Sequence, residues 1–236
     1  MAICEEIGVV LRPFGLLLRG GFHPEVTDNV PPLRKRVPSK TLILVGNAGP
    51  SMWEVFTVSK EAKDETPDPL DRWSIRILSA VAEEYGAKPL FPFGVPARPF
   101  LSWAKRAEPV AASPIGPLIH PEYGLWHAYR GAFSFPERLK LPDRDERPIP
   151  CETCEAKPCL STCPVDAFAT GTYNVPRCTD HLEGPAGKDC FEGGCLARRA
   201  CPVGAAYAPS QAAFHMAAFV GAMRKYGPGK ATGGVG

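Results

Sequence analysis

CETCEAKPCLSTCPV, residues 151–165, and DCFEGGCLARRACPVG, residues 189–204, decide how this chain is read. The first run is Cys151-x2-Cys154-x4-Cys159-x3-Cys163-Pro164, and the second is Cys190-x4-Cys195-x5-Cys201-Pro202, with Cys178 standing upstream of it. Both end in Cys-Pro-Val, followed by Asp166 or Gly204 and then Ala, a degenerate internal duplication. Eight of the 9 cysteines fall in this stretch, and only Cys4 lies outside it. A composition shift this sharp marks a domain boundary. The charged, proline-flanked PDRDERPIP at 142–150 reads as an exposed linker at that boundary.

Working outward, the remaining composition narrows the function classes. The chain has 236 residues, 44% hydrophobic and 22% charged, enough for one large domain or two small ones. With 27 Lys plus Arg against 25 Asp plus Glu, the formal net charge is +2. Such a balance argues against a dedicated nucleic-acid binder, which would show a basic excess or stripe. The most apolar stretch, IGVVLRPFGLLL, is broken by Arg12 and Pro13, so no membrane span is expected. Glu5 and Glu6 sit where a secretory signal would carry basic residues. A soluble, cytoplasmic protein is expected. Thiols stay reduced in that compartment, so the cysteines call for metal chemistry rather than disulfides.

A 4Fe–4S cube takes four thiolates arriving from different directions. A close x2 pair supplies two, a third follows shortly, and the fourth comes from far along the chain. The two runs resemble the bacterial two-cluster ferredoxin, in which C-x2-C-x2-C-x3-C-P occurs twice and the fourth Cys of each run ligates the other cluster. That resemblance implies Cys151, Cys154, Cys159 and Cys201 around one cluster, and Cys178, Cys190, Cys195 and Cys163 around the other. The first run departs from the ferredoxin in its x4 step, and the second in the eleven residues between Cys178 and Cys190 and in its x5 step. Two structural Cys4 zinc sites remain an alternative, since zinc also takes cysteine pairs at x2–4 spacing; a disulfide framework is a further one.

The amino-terminal part reads as mixed α and β. An apolar run at 41–46 (TLILVG) predicts a buried strand, with a turn at Gly46-Asn47-Ala48-Gly49 and a short helix over 51–58. After Pro69, the residues Leu70, Trp73, Ile77, Val81 and Tyr85 recur at helical steps, and Gly86 provides a stop. Strands are expected at 88–93 and 128–135, a helix at 99–107, and a helix and strand within 7–18. At the other end a helix is expected over 207–226, with Met216, Phe219, Val220 and Met223 as a packing stripe, then a disordered tail at 227–236. The expected domains are an α/β domain at 1–145 and a two-cluster domain at 146–226.

One further stretch, IHPEYGLWHAYRGAFSFPERLKLP at 119–142, runs directly toward the first cysteine. It resembles the segment before the clusters in epoxyqueuosine reductases: an aromatic-rich loop with Tyr-Gly, a strand, and an apolar Leu-Pro exit. The resemblance covers roughly residues 115–225. Those enzymes pair a cobalamin-binding α/β domain with a two-cluster ferredoxin module, a plan shared by reductive dehalogenases. It therefore implies an α+β protein: an amino-terminal α/β sandwich-like domain, then a small bacterial-ferredoxin-like domain, without the carboxy-terminal helical repeats of many members. A base-off corrinoid is implied as a second cofactor. The D-x-H-x-x-G signature of a lower-axial histidine is absent, which agrees with a base-off corrinoid and equally with none.

Tyr123, His127, Tyr129 and Arg130, with His120 and Trp126 among them, crowd a dozen residues. They are the expected cofactor- or substrate-binding wall: aromatic planes stack on a macrocycle, and His or Tyr can donate a proton. Loop packing is the plainer reading. Arg198-Arg199, between two expected ligands, would temper the charge of a thiolate-bound cube. Arg34-Lys35-Arg36 reads as a solvated loop, and Cys4 as an ordinary buried residue. No catalytic residue is assigned. Two functions stand side by side. One is a redox protein passing single electrons from two clusters to an acceptor, such as a corrinoid, in the first domain, with a small-molecule substrate. The other is a ferredoxin-like carrier whose first domain docks a partner. Either takes its electrons from a ferredoxin, flavodoxin or reductase.

Overall fold

The computed structural model describes residues 3–94, 96–169, 171–207 and 212–226. The chain divides into two compact units. One comprises Met1–Ala111 and Trp126–Ile149, the other Ala112–Leu125 and Pro150–Gly236. The α+β class expected from the sequence is the one observed. The sequence did not announce that 112–125 leaves the first unit and belongs to the second. The expected tail at 227–236 lies outside the described residues.

The first unit is built on a four-stranded antiparallel sheet. Its strands are β1 (Leu17–Phe22), β2 (Thr41–Ala48), β3 (Lys88–Leu90) and β6 (His127–Phe135), in the order β1-β2-β6-β3. The short β4 (Ala111–Ala112) and β5 (Leu118–Ile119) pair separately. Strand β6 pairs antiparallel with both β2 and β3, so β2 and β3 run parallel with β6 inserted between them, a split βαβ arrangement. Residues 41–47 of β2 are all buried, as a continuous apolar run in a central strand demands.

That strand corrects one expectation. Gly46, Asn47 and Ala48 do not turn; they pair with Tyr129, Ala128 and His127. The ladder with β6 outweighs the local turn preference of Gly-Asn, and the turn follows at Gly49-Pro50. Any side chain at Gly46 would run into the Ala128 carbonyl, so this close approach requires glycine.

Helices cover the sheet. The helix after Pro69, α4 (Pro69–Glu84), buries Leu70, Trp73, Ser74, Ile77, Leu78, Val81 and Ala82 and packs on β3 and β6. Helix α1 (Ile3–Leu11) packs on β1 and α4, and α5 (Phe100–Ala107) on β1 and β2. Helix α2 (Ser51–Thr57) adds Met52 and Phe56, whose ring meets Trp73 edge-on at 6.1 Å. Trp73 and Trp103 are wholly enclosed, and each such side chain contributes about 1.5–3 kcal/mol through burial. The Trp103 indole is satisfied by the Asp28 carbonyl at 2.8 Å. Cys4 is buried, as expected. The 142–150 stretch is extended and largely exposed, yet Arg144 ties it down by donating to the carbonyls of Lys105 and Glu108.

Helix α3 (Lys60–Lys63) carries a buried carboxylate, Glu61, gripped by Arg76 of α4 at 2.5 and 2.9 Å. The Arg76 hydrogen bonds hold the Glu61 carboxyl at about 2, well below its ordinary value. A depressed carboxyl stabilises the fold above its unfolded pKa, and that contribution is lost as pH falls through the folded value. Glu61→Gln is therefore expected to lower the melting temperature at pH 7. The deficit should be present above about pH 4.5 and shrink as pH falls toward 2; at this chain size ~1 kcal/mol corresponds to about 2–4 °C. Thermal melts of both proteins across that pH range check it, and a deficit independent of pH would contradict the assignment.

Candidate metal centre

The cysteine-bearing unit is made of short helices and tight turns. Cys151 lies on α6 (Pro150–Thr153) and Cys159 on α7 (Pro158–Ser161), while Cys154 and Cys163 sit in the turns that follow these helices. Cys178 is on α8 (Val175–Glu183), whose start is capped by Asn174 accepting the Arg177 N–H at 3.0 Å. Cys190 is on α9 (Lys188–Gly193), Cys195 caps α10 (Leu196–Arg199), and Cys201 follows α10. The duplication seen in the sequence is also conformational. Asp166 and Gly204, each following Cys-Pro-Val, adopt left-handed backbone with φ of 48° and 72°.

The thiols fall into two electrostatic groups. Burial pushes Cys151 up, and the charges of Cys201, Cys159 and Cys154 push it further. Cys159 responds to burial and then to Cys201 and Cys154 in the same way. On the other side, burial and then the charges of Cys163 and Cys190 raise Cys178, although a hydrogen bond from Tyr173 opposes them. Cys195 is raised by burial and by Cys178 and Cys190, against backbone hydrogen bonds from Arg198 and Ala197. The structure thus brings together Cys151, Cys154, Cys159 and Cys201, and separately Cys163, Cys178, Cys190 and Cys195. Each set draws one member from the other run. Among the described residues no three His, Cys, Asp or Glu side chains converge tightly enough to share a single metal ion.

Behind the second set lies a small apolar core of Leu182, Cys190 and Val220, with Cys178, Phe191, Leu196, Met216 and Phe219 packed against it. Two residues of the expected stripe on α11 (Ala212–Tyr226), Met216 and Phe219, are therefore packing residues, as is Val220. The helix is described over Ala212–Tyr226, and Tyr207 sits in a separate 3-10 turn. Tyr173 was not singled out by sequence reading; a tyrosine five residues before a cysteine carries no distinctive signal. Burial pushes its hydroxyl well above the ordinary phenol range, and the Cys178 thiol and the charges of Cys195 and Cys163 add to that.

The segment 112–125 braces the Cys201 end of this unit. His120 is buried, and its Nδ1 accepts from the backbone N–H groups of Glu122 and Tyr123 at 3.1 and 3.3 Å. The Tyr123 ring stacks on His120 at 4.4 Å and meets Tyr207 edge-on at 5.1 Å. Gly124 and Gly204 both have positive φ; a Cβ on Gly124 would strike the Val203 carbonyl, and one on Gly204 the Tyr123 carbonyl. The two backbones are therefore in contact immediately beyond Cys201. Arg198 is half-buried and donates to the Leu125 carbonyl through both Nε and Nη2. Burial lowers its pKa, and the Cys195 charge opposes that. Arg199, expected to act with it, instead pairs with Asp189 at 2.7 Å near the surface.

Tyr123 belongs to the cysteine-bearing unit, while His127, Tyr129 and Arg130 lie on β6 of the other. A bulge at Arg130 sends neighbouring side chains toward different helices. Arg130 reaches α4, donating to Asp71 at 2.7 Å and Ser74 at 3.1 Å, and burial lowers its pKa against the pull of Asp71. Tyr129 reaches the end of α5 and donates to Glu108 at 2.7 Å; burial drives its hydroxyl pKa far up.

Glu108 in turn grips Arg19 of β1 through two 2.8 Å hydrogen bonds. The Arg19 guanidinium lies 4.9 Å from the Tyr129 ring centre and within 3.1 Å of His127 Nδ1. Arginine only donates, so that nitrogen accepts and the proton of a neutral His127 ring is on Nε2. The buried pair was missed in the sequence because its members are 89 residues apart.

No protein-family model matches the chain, and no curated protein matches it. Solved structures do. Epoxyqueuosine reductase from Streptococcus thermophilus matches over 87% of this chain and 67% of its own, with a TM-score of 0.50 at 16% identity. This chain shares its fold. An epoxyqueuosine reductase crystallised with a tRNA-TYR epoxyqueuosine-modified stem loop matches over 86% of this chain and 66% of its own, at TM-score 0.48 and 16% identity. The enzyme from Bacillus subtilis matches over 82% and 62%, at TM-score 0.44 and 16% identity. The chain thus spans about two thirds of the length of these enzymes.

Removing one member of a buried ion pair leaves the other charge uncompensated, at a cost of about 3–5 kcal/mol. Arg19→Met is expected to destabilise the protein by that amount in urea unfolding. Arg19→Met with Glu108→Leu should recover most of the loss. Equal instability of the single and double variants would show that the packing, not the charge, matters there.

Proposed function

We propose that this chain is an iron–sulfur redox protein. Cys151, Cys154, Cys159 and Cys201 hold one 4Fe–4S cluster, and Cys163, Cys178, Cys190 and Cys195 hold the other. The observation that carries the reading is the crossed membership of the two thiol groups, each taking its fourth cysteine from the other run. Two groups of four thiols match the donor set of two cubes, with Cys4 left outside. A cube also keeps its ligand sulfurs farther apart than one zinc ion, whose Zn–S bonds are about 2.3 Å. The fold shared with epoxyqueuosine reductase supports the same reading.

Bound clusters supply single-electron transfer. The chain's own part is to hold the sulfurs, shield them and set their surroundings. Backbone N–H groups serve this at Cys195 and at Cys163, which accepts from Ala167 at 3.3 Å. A ferredoxin, flavodoxin or reductase supplies the electrons. The acceptor is in the amino-terminal unit, and the resemblance makes a base-off corrinoid that acceptor, with a small molecule as the final substrate.

A second reading, an electron carrier with a docking domain, is favoured by a specific observation. His127, Tyr129 and Arg130 are engaged with Arg19, Glu108 and Asp71, and Tyr123 lies in the other unit.

Anaerobic reconstitution with iron and sulfide should give a brown protein carrying two clusters; a colourless protein retaining zinc would end the proposal. Cys163→Ser, although in the first run, should spoil the cluster of the second. Titration with cob(II)alamin, followed by electron paramagnetic resonance, should change the cobalt signal and saturate at one equivalent. An unchanged cobalt signal with both clusters intact would leave the carrier.

A further inference from the structure

We infer that the hairpin tip Arg34-Lys35-Arg36, with Lys40 and Lys88 beside it, is a docking surface for the acidic face of a partner protein. This surface stands apart from the iron–sulfur reading, since the tip belongs to the amino-terminal unit and holds no cysteine. Between Asp28 and Glu54 the chain carries no Asp or Glu, so the cations there have no counter-charge nearby in the sequence. Two hydrogen bonds fold the stretch back on itself, from Leu33 N–H to the Val37 carbonyl at 3.0 Å and from Val37 N–H to the Arg34 carbonyl at 2.9 Å. Arg34, Lys35 and Arg36 are all exposed on that turn. The Lys88 ammonium donates to the Pro32 carbonyl at 2.8 Å, which holds the start of β3 against the base of the hairpin. Lys40, also exposed, leads into β2 and donates its backbone N–H to the Phe135 carbonyl of β6 at 2.8 Å. Strands β2 and β3 flank β6 and lie about 10 Å apart, so Lys40 and Lys88 share one end of the sheet.

The backbone and the ion pairs both set this tip apart from an ordinary solvated loop. Arg36 has φ of 68°, at the third position of the turn, where a type II turn favours glycine. An arginine there is strained where glycine would not be, so the side chain is kept against the preference of the turn. In the same unit Arg19, Arg72, Arg76, Arg106 and Arg130 each meet a carboxylate. Among the described residues Arg34, Lys35 and Arg36 meet none. Three like charges in succession repel one another, and opposite charge supplied from outside relieves that repulsion. The surroundings favour a protein over a nucleic acid. Residues 29–40 contain no aromatic ring on which a base could stack. Exposed carboxylates border the patch. Glu137 follows the end of β6, its carbonyl accepting from the Thr41 hydroxyl at 2.8 Å, and Glu83 and Glu84 close α4 just before Lys88. A phosphate backbone, negative along its whole length, would run into those carboxylates as it left the tip. A protein face can set carboxylates opposite the tip and cations opposite the rim.

The test is fluorescence anisotropy of the full chain with two labelled probes, a short peptide rich in Asp and Glu and an RNA hairpin of matched net charge. The peptide should bind at low salt and more weakly as salt rises. Arg34→Glu, Lys35→Glu and Arg36→Glu together should weaken it by about tenfold or more. Arg36→Gly is the second variant and relieves the left-handed residue. Its melting temperature should hold or rise while it binds the peptide more weakly, a combination that a purely structural arginine would not give. Equal peptide affinity in the wild type and the triple variant, or no binding by the wild type at low salt, would overturn the inference. An RNA hairpin bound more tightly than the peptide, and released by the triple substitution, would also overturn it and give the tip to a nucleic acid. Each of these results leaves the iron–sulfur reading standing, because iron uptake by the wild-type chain decides that one separately.

Discussion

In the carboxy-terminal unit the cysteines gather in two groups of four, each drawn from more than one stretch of chain. Short helices alone do not achieve that, because each presents one cysteine and then turns away. The chain achieves it by exchange. Cys163 leaves its own run to join Cys178, Cys190 and Cys195, and Cys201 leaves its run to join Cys151, Cys154 and Cys159. Each group of thiols thus mixes the two halves, in a unit with a small apolar core of Leu182, Cys190 and Val220. The left-handed residues at Asp166 and Gly204 let each run turn back after its last cysteine. Thiols gathered in this way repel one another once ionised, which is why their neighbours push the pKa values of Cys151, Cys159, Cys178 and Cys195 up.

The amino-terminal unit solves a different problem. Its sheet is buried on both faces around β2, yet a fully enclosed arginine lies within it. The bidentate grip of Glu108, the Asn47 carbonyl and His127 Nδ1 satisfy that cation, and the Tyr129 hydroxyl donates in turn to Glu108. Such a network adds specificity of geometry more surely than net stability. It joins β1, β2, β6 and the end of α5 in a single register.

Much of this was legible from the residues. The periodicity of Leu70, Trp73, Ile77 and Val81 gave α4, because a buried helical face leaves that imprint whatever it packs against. The apolar run at 41–46 gave β2, and the resemblance of the cysteine runs to the two-cluster ferredoxin implied the division of the thiols. What stayed hidden depends on distant partners. Asn47 has the local chemistry of a turn but is held in a ladder by residues eighty positions away. Tyr123, stacked on His120, is met edge-on by Tyr207 from far along the chain. A tyrosine donor to a thiol, or an arginine enclosed by a glutamate, is invisible until the chain is folded.

The excursion of 112–125 has a consequence for how the protein is made. Synthesis runs through the first unit, into the second, back for β6, and only then into the cysteines. Since β6 separates β2 from β3, the sheet has a gap at its centre until residue 135 has emerged from the ribosome. Meanwhile His120 and Tyr123 wait for Tyr207, which is translated last of the three. At the ~5–20 residues per second of translation, the nascent chain carries two unfinished folds for several seconds. Neither unit is a contiguous cassette, so a single cut in the gene does not separate them.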